Sequence, residues 1–154
     1  MGEPRYAGFW RRFFAYLIDR AIIIFSVIAI LIVFGLLVNF TMPWPQVSIF
    51  FTLALIVLSL VVYLGYDSYF LPGPDAATPG KKMLGLVVVD STHKRPISLG
   101  KAMVRDVLGR NIIDRLTFHV GDLLIIFDSR KQALHDKIAG TYVVYRDSLG
   151  VGAQ

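Results

Sequence analysis

The sequence contains no cysteine, which excludes disulfide frameworks, thiolate nucleophiles and Cys-ligated zinc or iron–sulfur sites. It also has no charged side chain and no histidine over residues 21–66, although it has 16 Lys and Arg and 11 Asp and Glu residues elsewhere. At ~1.5 Å per helical residue, this range is long enough to cross a hydrocarbon core of ~30 Å twice. The absence of charge therefore predicts a membrane protein and excludes a disordered chain.

Motifs of catalysis and cofactor binding are absent as well. No Gly-x-Ser-x-Gly nucleophile elbow occurs, and His93, His119 and His135 lack the spacing of metal ligands on one helix. The segment 73–82 resembles a P-loop only in part, since Lys82 occupies a position that requires Ser or Thr. We therefore predict that the protein is not an enzyme and that it holds no cofactor and no metal.

Two apolar segments make up the uncharged range and predict an N-terminal transmembrane hairpin. The first helix is expected at about 8–38 and the second at about 47–66, each long enough for one crossing. Between them, Pro43 and Pro45 end the first helix, and Trp44 suits the headgroup region.

Basic residues flank the hairpin on both sides, and they decide its predicted orientation. Those near its start are Arg5, Arg11, Arg12 and Arg20, and those after it are Lys81, Lys82, Lys94, Arg95, Lys101 and Arg105. Because Lys and Arg concentrate in cytoplasmic loops, we expect the N-terminus and residues 68–110 in the cytoplasm. The net charge of +5 then fits anionic lipid headgroups better than nucleic acid.

The composition changes after the hairpin, and residues 67–154 form the predicted cytoplasmic and interfacial part of one membrane domain spanning 1–154. Residues 84–89 and 141–145 are short β-branched runs that predict strands. A lone strand would leave backbone groups unpaired, so we expect these two strands to pair with each other.

A third helical segment is predicted at about 98–127, with Ser98 as its N-cap. Apolar residues recur there at every fourth position: Val104, Leu108, Ile112, Leu116, Val120 and Leu124. The opposite side carries Lys101, Arg105, Asp114 and Asp122. Charges at the bilayer centre are costly, so the pattern favours an amphipathic, partly membrane-embedded segment in an all-α membrane protein. For 111–127, spanning, re-entrant and interfacial positions remain open alternatives.

Polar residues form one stripe on each hairpin helix. The first stripe is Arg12, Tyr16, Asp19 and Ser26, and the second is Thr52, Ser59, Tyr63 and Tyr66. Such stripes turn away from lipid, either toward each other or toward an oligomer interface. Ser59 and Tyr63 are therefore secondary candidate site residues.

Asp19 is the leading candidate for function, because a carboxylate at the edge of the membrane pairs with a cation, titrates or binds an ion. Arg12 lies about two turns earlier on the same helical face and is the available partner. A structural ion pair with Arg12, ion or proton handling, and an exposed interfacial position are the three alternatives.

A second polar segment follows at 128–137. Asp128 is suited to cap a helix that begins near Arg130, and His135 or Asp136 could serve as proton acceptor or cation ligand. The alternative is a solvated amphipathic turn that docks against the bilayer.

Three blocks of this sequence are similar to the RDD family of small prokaryotic membrane proteins, which is named for one Arg and two Asp. They are GFWRRFFAYLID at 8–19, TPGKKMLGLVVVD at 78–90 and FDSRKQALHDKIAGT at 127–141. The resemblance implies a prokaryotic cytoplasmic membrane protein of suspected transport function. It assigns the Arg to Arg12, with Arg11 as the neighbouring candidate, and the first Asp to Asp19. The second Asp falls on Asp128, which we prefer, or on Asp136.

The main functional hypothesis is a transporter or channel component that handles a cation or proton through Arg12, Asp19 and Asp128. Two or three helices cannot enclose a path, so it requires a homo-oligomer or a partner membrane protein. The alternative is a non-transporting anchor, assembly or regulatory module that binds a partner protein or anionic lipid.

Overall fold

A computed structural model describes residues 4–41, 44–114, 116 and 120–149. The chain divides into two compact units. The apolar unit is Arg20–Tyr63, and the sheet-containing unit combines Met1–Asp19 with Leu64–Gln154.

Two long helices form the apolar unit and continue along the chain into the other one. They are α1, Phe9–Thr41, and α2, Pro45–Phe70, and both are long and apolar enough to cross a membrane. The prediction of two such helices is confirmed, and both end later than expected. Pro45 is the first residue of α2. Proline is tolerated there because the N–H groups of the first helical turn have no acceptor within the helix. Their apolar side chains are largely exposed, as with Phe25 at 71% and Phe50 at 68%, which suits contact with lipid or other helices.

A two-stranded antiparallel sheet is the centre of the sheet-containing unit. Strand β1, Leu86–Asp90, pairs with β2, Thr141–Tyr145, with Val88 opposite Val143. The predicted pairing is thus confirmed, although β1 begins later than expected because Gly85 takes a left-handed turn conformation at φ +68°.

The sheet is covered on both faces. Successive residues of a strand point to opposite sides, so Leu86 and Val88 pack with Ala7, Ala15 and other apolar residues. On the other side, Val87 and Val89 pack against Ala76, Ala77, Tyr142 and Val144. The N-terminal segment lies beside β2, since the Ala7 N–H donates to the Val143 carbonyl at 2.9 Å.

The helical segment predicted over 98–127 consists of several helices of different types in the part that the structure describes. The structure has α4, Leu99–Met103, then a π-helix, Val104–Asp114, and then α5, Val120–Phe127. Ser98 does cap α4, accepting the Lys101 N–H at 3.4 Å. Residues 115 and 117–119 lie outside the described part of the chain, and the membrane placement of 111–127 stays a prediction.

The π-helix explains the four-residue spacing of the apolar positions. Its hydrogen bonds reach five residues along the chain, so its turn is wider than the 3.6 residues of an α-helix. Val104, Leu108 and Ile112 are exposed, whereas Arg105 and Asp106 on the same helix are buried. The helix therefore turns its charged side inward and its apolar side outward.

Two further short helices complete the unit. Helix α3, Pro79–Met83, precedes β1, and α6, Leu134–Ala139, precedes β2. Gly140 ends α6 in the left-handed conformation at φ +60°, which glycine adopts without strain.

Candidate functional site

Equal numbers of acidic and basic side chains are buried or nearly buried together in the sheet-containing unit, and we call them the charged cluster. They come from α1, α2, α3, the π-helix and α6. Its members are Arg12, Asp19, Asp67, Lys81, Arg105, Asp106, Arg110 and Asp136. Burying a charge is costly unless it is paired and hydrogen-bonded. The partners of each group therefore decide what the cluster can do.

Arg12 joins α1 to the segment that leads into α6. Its Nη1 donates to Asp136 Oδ2, and its Nη2 donates to the Lys131 carbonyl. Its Nε donates to the Ala7 carbonyl at 2.9 Å. All three guanidinium nitrogens are thus engaged, and none of them bonds Asp19, so the ion pair of Arg12 with Asp19 that was one of the three alternatives is not formed. Proximity along one helix favoured Asp19, but the fold returns α6 to the start of α1.

Asp136 is the most heavily bonded acid of the cluster and is fully buried. Its Oδ1 accepts from Arg105 Nη2 at 2.8 Å and from Arg105 Nε at 3.0 Å. Its Oδ2 accepts from Arg12 and from the Ala133 N–H at 3.2 Å, which also caps α6. Burial acts to raise the pKa of Asp136, but the charges of Arg12 and Arg105 outweigh it and hold that pKa far below its usual range. Asp136 is therefore a fixed anion.

Asp19 binds the start of α3 through neutral donors. Its carboxylate accepts from Thr78 Oγ1 at 2.5 Å, from the Gly80 N–H at 2.7 Å and from the Tyr66 hydroxyl at 3.2 Å. The bond from Tyr66 joins Asp19 of the first predicted stripe to a residue of the second. Asp19 is 2% exposed, so it is not an exposed interfacial residue.

Gly80 permits this approach of α3 to α1. A Cβ atom at this position would lie 2.3 Å from the Ala15 carbonyl oxygen and 2.9 Å from Asp19 Oδ1, closer than atoms can pack. The Thr-Pro-Gly sequence at 78–80 therefore supplies a hydroxyl, a rigid helix start and an unobstructed N–H to the same carboxylate.

Asp67, Lys81 and Arg110 form a second group, and the sequence did not indicate that these three residues come together. Lys81 Nζ lies 2.8 Å from Asp67 Oδ1, and Arg110 Nη1 lies 3.3 Å from Asp67 Oδ2. Arg110 also stacks over the Tyr16 ring, 4.8 Å from its centroid. Burial lowers the pKa of Lys81, and the charge of Asp67 only partly opposes that effect. The available signal was position, since Asp67 is the first charge after the uncharged range.

Asp106 differs from the other acids in its bonding. Its Oδ1 accepts from Arg105 Nη1 at 3.1 Å, whereas its Oδ2 is buried without a hydrogen-bond partner among the described residues. Burial and the charge of Asp67 raise the pKa of Asp106, although Arg105 opposes them. Sequence reasoning missed this residue, which looks like any other charge on the polar side of an amphipathic segment.

His135 is buried where α6 meets the π-helix. Its Nδ1 lies 3.5 Å from Asp122 Oδ1, and its Nε2 lies 3.5 Å from Asp136 Oδ1. Gly109 makes room for it, because a Cβ there would lie 2.7 Å from the His135 Cβ. The suggested roles of His135 and Asp136 in proton or cation binding stay predictions.

Asp128 lies apart from the charged cluster in its described contacts. Its Oδ2 accepts the N–H groups of Arg130 at 3.1 Å and Gln132 at 3.0 Å, and its Oδ1 lies 2.6 Å from Lys137 Nζ. It therefore orders the loop before α6, and the helix expected near Arg130 begins only at Leu134. The acid that the fold brings to Arg12 is Asp136.

The remaining candidates are Arg11, Ser59 and Tyr63. Arg11 is exposed and lies 5.9 Å from the Tyr145 ring centroid. In the apolar unit, the Ser59 hydroxyl donates to the Leu55 carbonyl of its own helix at 2.8 Å, and Arg20 lies 4.6 Å from the Tyr63 ring centroid. Among the described residues, no three or more His, Asp or Glu side chains are grouped to hold a metal ion.

Comparison with known proteins shows that the sequence is similar to one family over most of its length. The sequence pattern of the RDD family matches residues 6–140. The uncharacterized membrane protein YteJ of Bacillus subtilis is 35% identical over 151 residues, which cover 91% of this chain and 81% of YteJ. The uncharacterized protein YxaI of the same bacterium is 31% identical over 151 residues, which cover 91% of this chain and 97% of YxaI.

A shorter similarity, 32% identity over 84 residues, joins the chain to the proline-rich antigen homolog of Mycobacterium tuberculosis and covers 54% of this chain and 34% of that protein. No solved structure matches the chain. Since the family pattern covers most of the sequence and every member of the charged cluster, this chain is a membrane protein of the RDD family.

Proposed function

We propose that this protein is a non-enzymatic subunit of an oligomeric transporter or channel in the bacterial cytoplasmic membrane, and that it moves a cation or a proton. The observation that carries the proposal is the charged cluster. Ionisable side chains are expensive to bury, and in membrane proteins they mark ion and proton pathways by default. Here they are buried in a chain that has two helices of membrane-spanning length.

The proposal requires several copies of the chain or a partner membrane protein. Two helices cannot enclose a path across the bilayer. The exposed apolar side chains of the apolar unit, such as Phe25 and Phe50, leave room for contacts with neighbouring helices as well as with lipid. Basic residues on both sides of the hairpin favour an orientation with both ends of the chain in the cytoplasm.

Arg12, Asp19 and Asp136 position the cluster in this proposal. Every guanidinium nitrogen of Arg12 is bonded, and Asp19 and Asp136 each accept three or more hydrogen bonds. Groups held so firmly are suited to keeping a geometry, and less suited to releasing an ion in each transport cycle. Asp128, which orders a loop, has no ion-handling part in the proposal.

Reconstitution tests the proposal directly. The full chain is placed in liposomes that contain a pH-sensitive dye or a dye selective for potassium or sodium, and a gradient of each ion is imposed. We expect flux above that of empty liposomes. Asp19→Asn should abolish it, because the variant removes the buried negative charge that binds the start of α3.

Asp147→Asn is the matched control, since Asp147 is an exposed acid whose described partner is Arg5. It should retain wild-type flux. Absence of flux in the wild-type protein under all gradients contradicts the proposal, and so does an Asp19→Asn variant that folds and transports like the wild type.

A second candidate function, recognition of anionic lipid by a non-transporting module, is favoured by one groove. An open cavity of about 650 Å³ has a lining that includes three arginines and one acid: Arg5, Arg11, Arg146 and Asp147. Guanidinium groups bind phosphate well. If this groove binds headgroups, phosphatidylglycerol should raise the melting temperature of the detergent-solubilised protein more than phosphatidylcholine does. The double variant Arg11→Gln/Arg146→Gln should lose that difference, and an unchanged difference would contradict this candidate.

A further inference from the structure

One carboxyl group in the charged cluster is bonded on only one side. Asp106 is 1% exposed, its Oδ1 is held by Arg105, and its Oδ2 has no hydrogen-bond partner among the described residues. A buried carboxylate oxygen without a donor is unfavourable, because it has lost its hydrogen bonds to water and forms none with the protein. Adding a proton to that oxygen removes the charge and leaves a neutral group, which is far cheaper to bury.

The neighbouring cations are committed to other acids. Arg105 gives both Nε and Nη2 to Asp136, at 3.0 and 2.8 Å, and leaves only Nη1 for Asp106. Lys81 and Arg110 both lie within ion-pair distance of Asp67. Asp106 therefore shares one cation with a stronger competitor and lies in the field of a second carboxylate.

The charged and titratable groups around Asp106 come from every element packed near it. Lys81 on α3 and Arg105 and Arg110 on the π-helix favour its ionised form, and Asp67 on α2 favours its protonated form. The other helices packed against the π-helix carry Lys101, Asp122, His135 and Asp136. Burial and the charge of Asp67 together raise the pKa of Asp106.

We propose that Asp106 is a reversible proton-binding site, which keeps a proton on Oδ2 at pH values where ordinary carboxyl groups have lost theirs and exchanges it with water. Loss of the proton gives the carboxylate and a hydronium ion, and no other reactant is needed. This inference deepens the proposed function, because it names the proton as the ion and Asp106 as the group that binds the proton. A role of Asp106 in transport rests on the proposed function. Proton binding itself is measurable without any flux.

The binding test uses infrared difference spectroscopy of the full chain in lipid nanodiscs across a pH titration. The stretching band of a protonated carboxyl group reports Asp106 directly. We expect this band to persist in the wild type well above pH ~4, where ordinary carboxyl groups lose their protons. It should be missing in Asp106→Asn and retained in Asp147→Asn. A band that survives in Asp106→Asn, or a wild type without it, overturns the inference.

Two further variants separate proton binding from a loss of structure. Asp106→Asn mimics the protonated side chain in shape and charge, and its fold is checked by melting; if it does not fold, Asp106→Glu serves, and its carboxyl band should shift. Asp67→Asn removes the like charge and should move the end point of the Asp106 titration down by about one pH unit or more. An unmoved end point in a folded Asp67→Asn protein counts against the inference.

Flux measurements distinguish this inference from the proposed function. A protonated band in the nanodisc protein without proton flux in liposomes supports Asp106 as a proton site and contradicts the transport role. Flux that is equal in the wild type and in Asp106→Asn supports transport and contradicts the assignment of Asp106. Loss of proton flux in Asp106→Asn, with the carboxyl band present only in the wild type, supports both.

Discussion

The two units of this chain place polar and apolar side chains in opposite ways. The apolar unit contains a single charged residue, Arg20, and exposes large apolar side chains along both of its helices. The sheet-containing unit buries a charge-balanced cluster and exposes an apolar stripe on its π-helix. In the first unit, composition alone indicates the environment. In the second, only the tertiary pairing of each charge explains how the arrangement is stable.

Asp136→Asn should destabilise the sheet-containing unit more than any of the other variants. It removes the anion shared by Arg12 and Arg105 and leaves two guanidinium groups buried without it, which costs about 3–5 kcal/mol of unfolding free energy. Titration with sodium dodecyl sulfate in a mild detergent measures that free energy. Asp128→Asn is the matched control, because Asp128 serves a loop, and its cost should be about 1 kcal/mol. Equal losses in the two variants would contradict a special role for Asp136.

Gly80→Ala tests the close approach that brings α3 to Asp19. The added Cβ would meet the Ala15 carbonyl oxygen at 2.3 Å, so the two helices must separate, at a cost of about 1–3 kcal/mol. Gly100→Ala is the control, because its Cβ has no neighbour within 4 Å and lies in α4. That variant should be stabilised by about 0.5–1 kcal/mol, since Ala favours a helix. Similar melting temperatures for the two variants would show that the approach is looser than described.

These two sites also indicate what the sequence could predict. The two long helices follow from an uncharged, apolar range, the sheet from two β-branched runs, and the start of α4 from Ser98. All of these are local patterns. The pairing of Arg12 with Asp136 joins residues 124 positions apart, and no spacing rule on one helix can reveal it.

The importance of Asp106 was hidden for a different reason. A charge opposite an apolar stripe is usually solvated, and the sequence does not say that the charged side of the π-helix faces the interior. Two features of the sequence pointed to this arrangement. The apolar residues repeat at every fourth position, which suits a turn wider than that of an α-helix, and Gly109 is a small residue among larger ones. Gly109 lets His135 approach the π-helix, and that contact encloses its charged side.

The pH dependence of stability should expose the difference between Asp106 and Asp136. Burial and Asp67 raise the pKa of Asp106, so the folded chain binds more protons there than the unfolded chain does. Stability is therefore lost as the pH rises from the ordinary carboxyl pKa through the raised one, by about 1.4 kcal/mol for each unit between them. Asp136 acts oppositely, because its lowered pKa gives stability that is complete at neutral pH and is lost progressively as the pH falls through the ordinary carboxyl pKa toward the lowered one.

Asp106→Asn isolates the first of these effects. The variant should be more stable than the wild type at alkaline pH, and the difference should shrink toward pH ~4. Both proteins retain Asp136, so its contribution cancels in the comparison. Melting temperatures at matched pH values in detergent measure the difference. A variant that is less stable at alkaline pH than at acidic pH, relative to the wild type, would contradict the raised pKa of Asp106.

Leu108→Cys tests whether the exposed apolar stripe meets lipid, and it should have the smallest effect on folding. Leu108 is 49% exposed, so the change should cost less than about 0.5 kcal/mol. Because the natural chain has no cysteine, one fluorophore can be attached there alone. If the stripe lies in the interface, nitroxide-labelled lipid should quench it, as it should quench a label at Ile32→Cys on α1. A label at Asp147→Cys should instead be quenched by aqueous iodide, and the same response at Leu108 would mean that the stripe faces water.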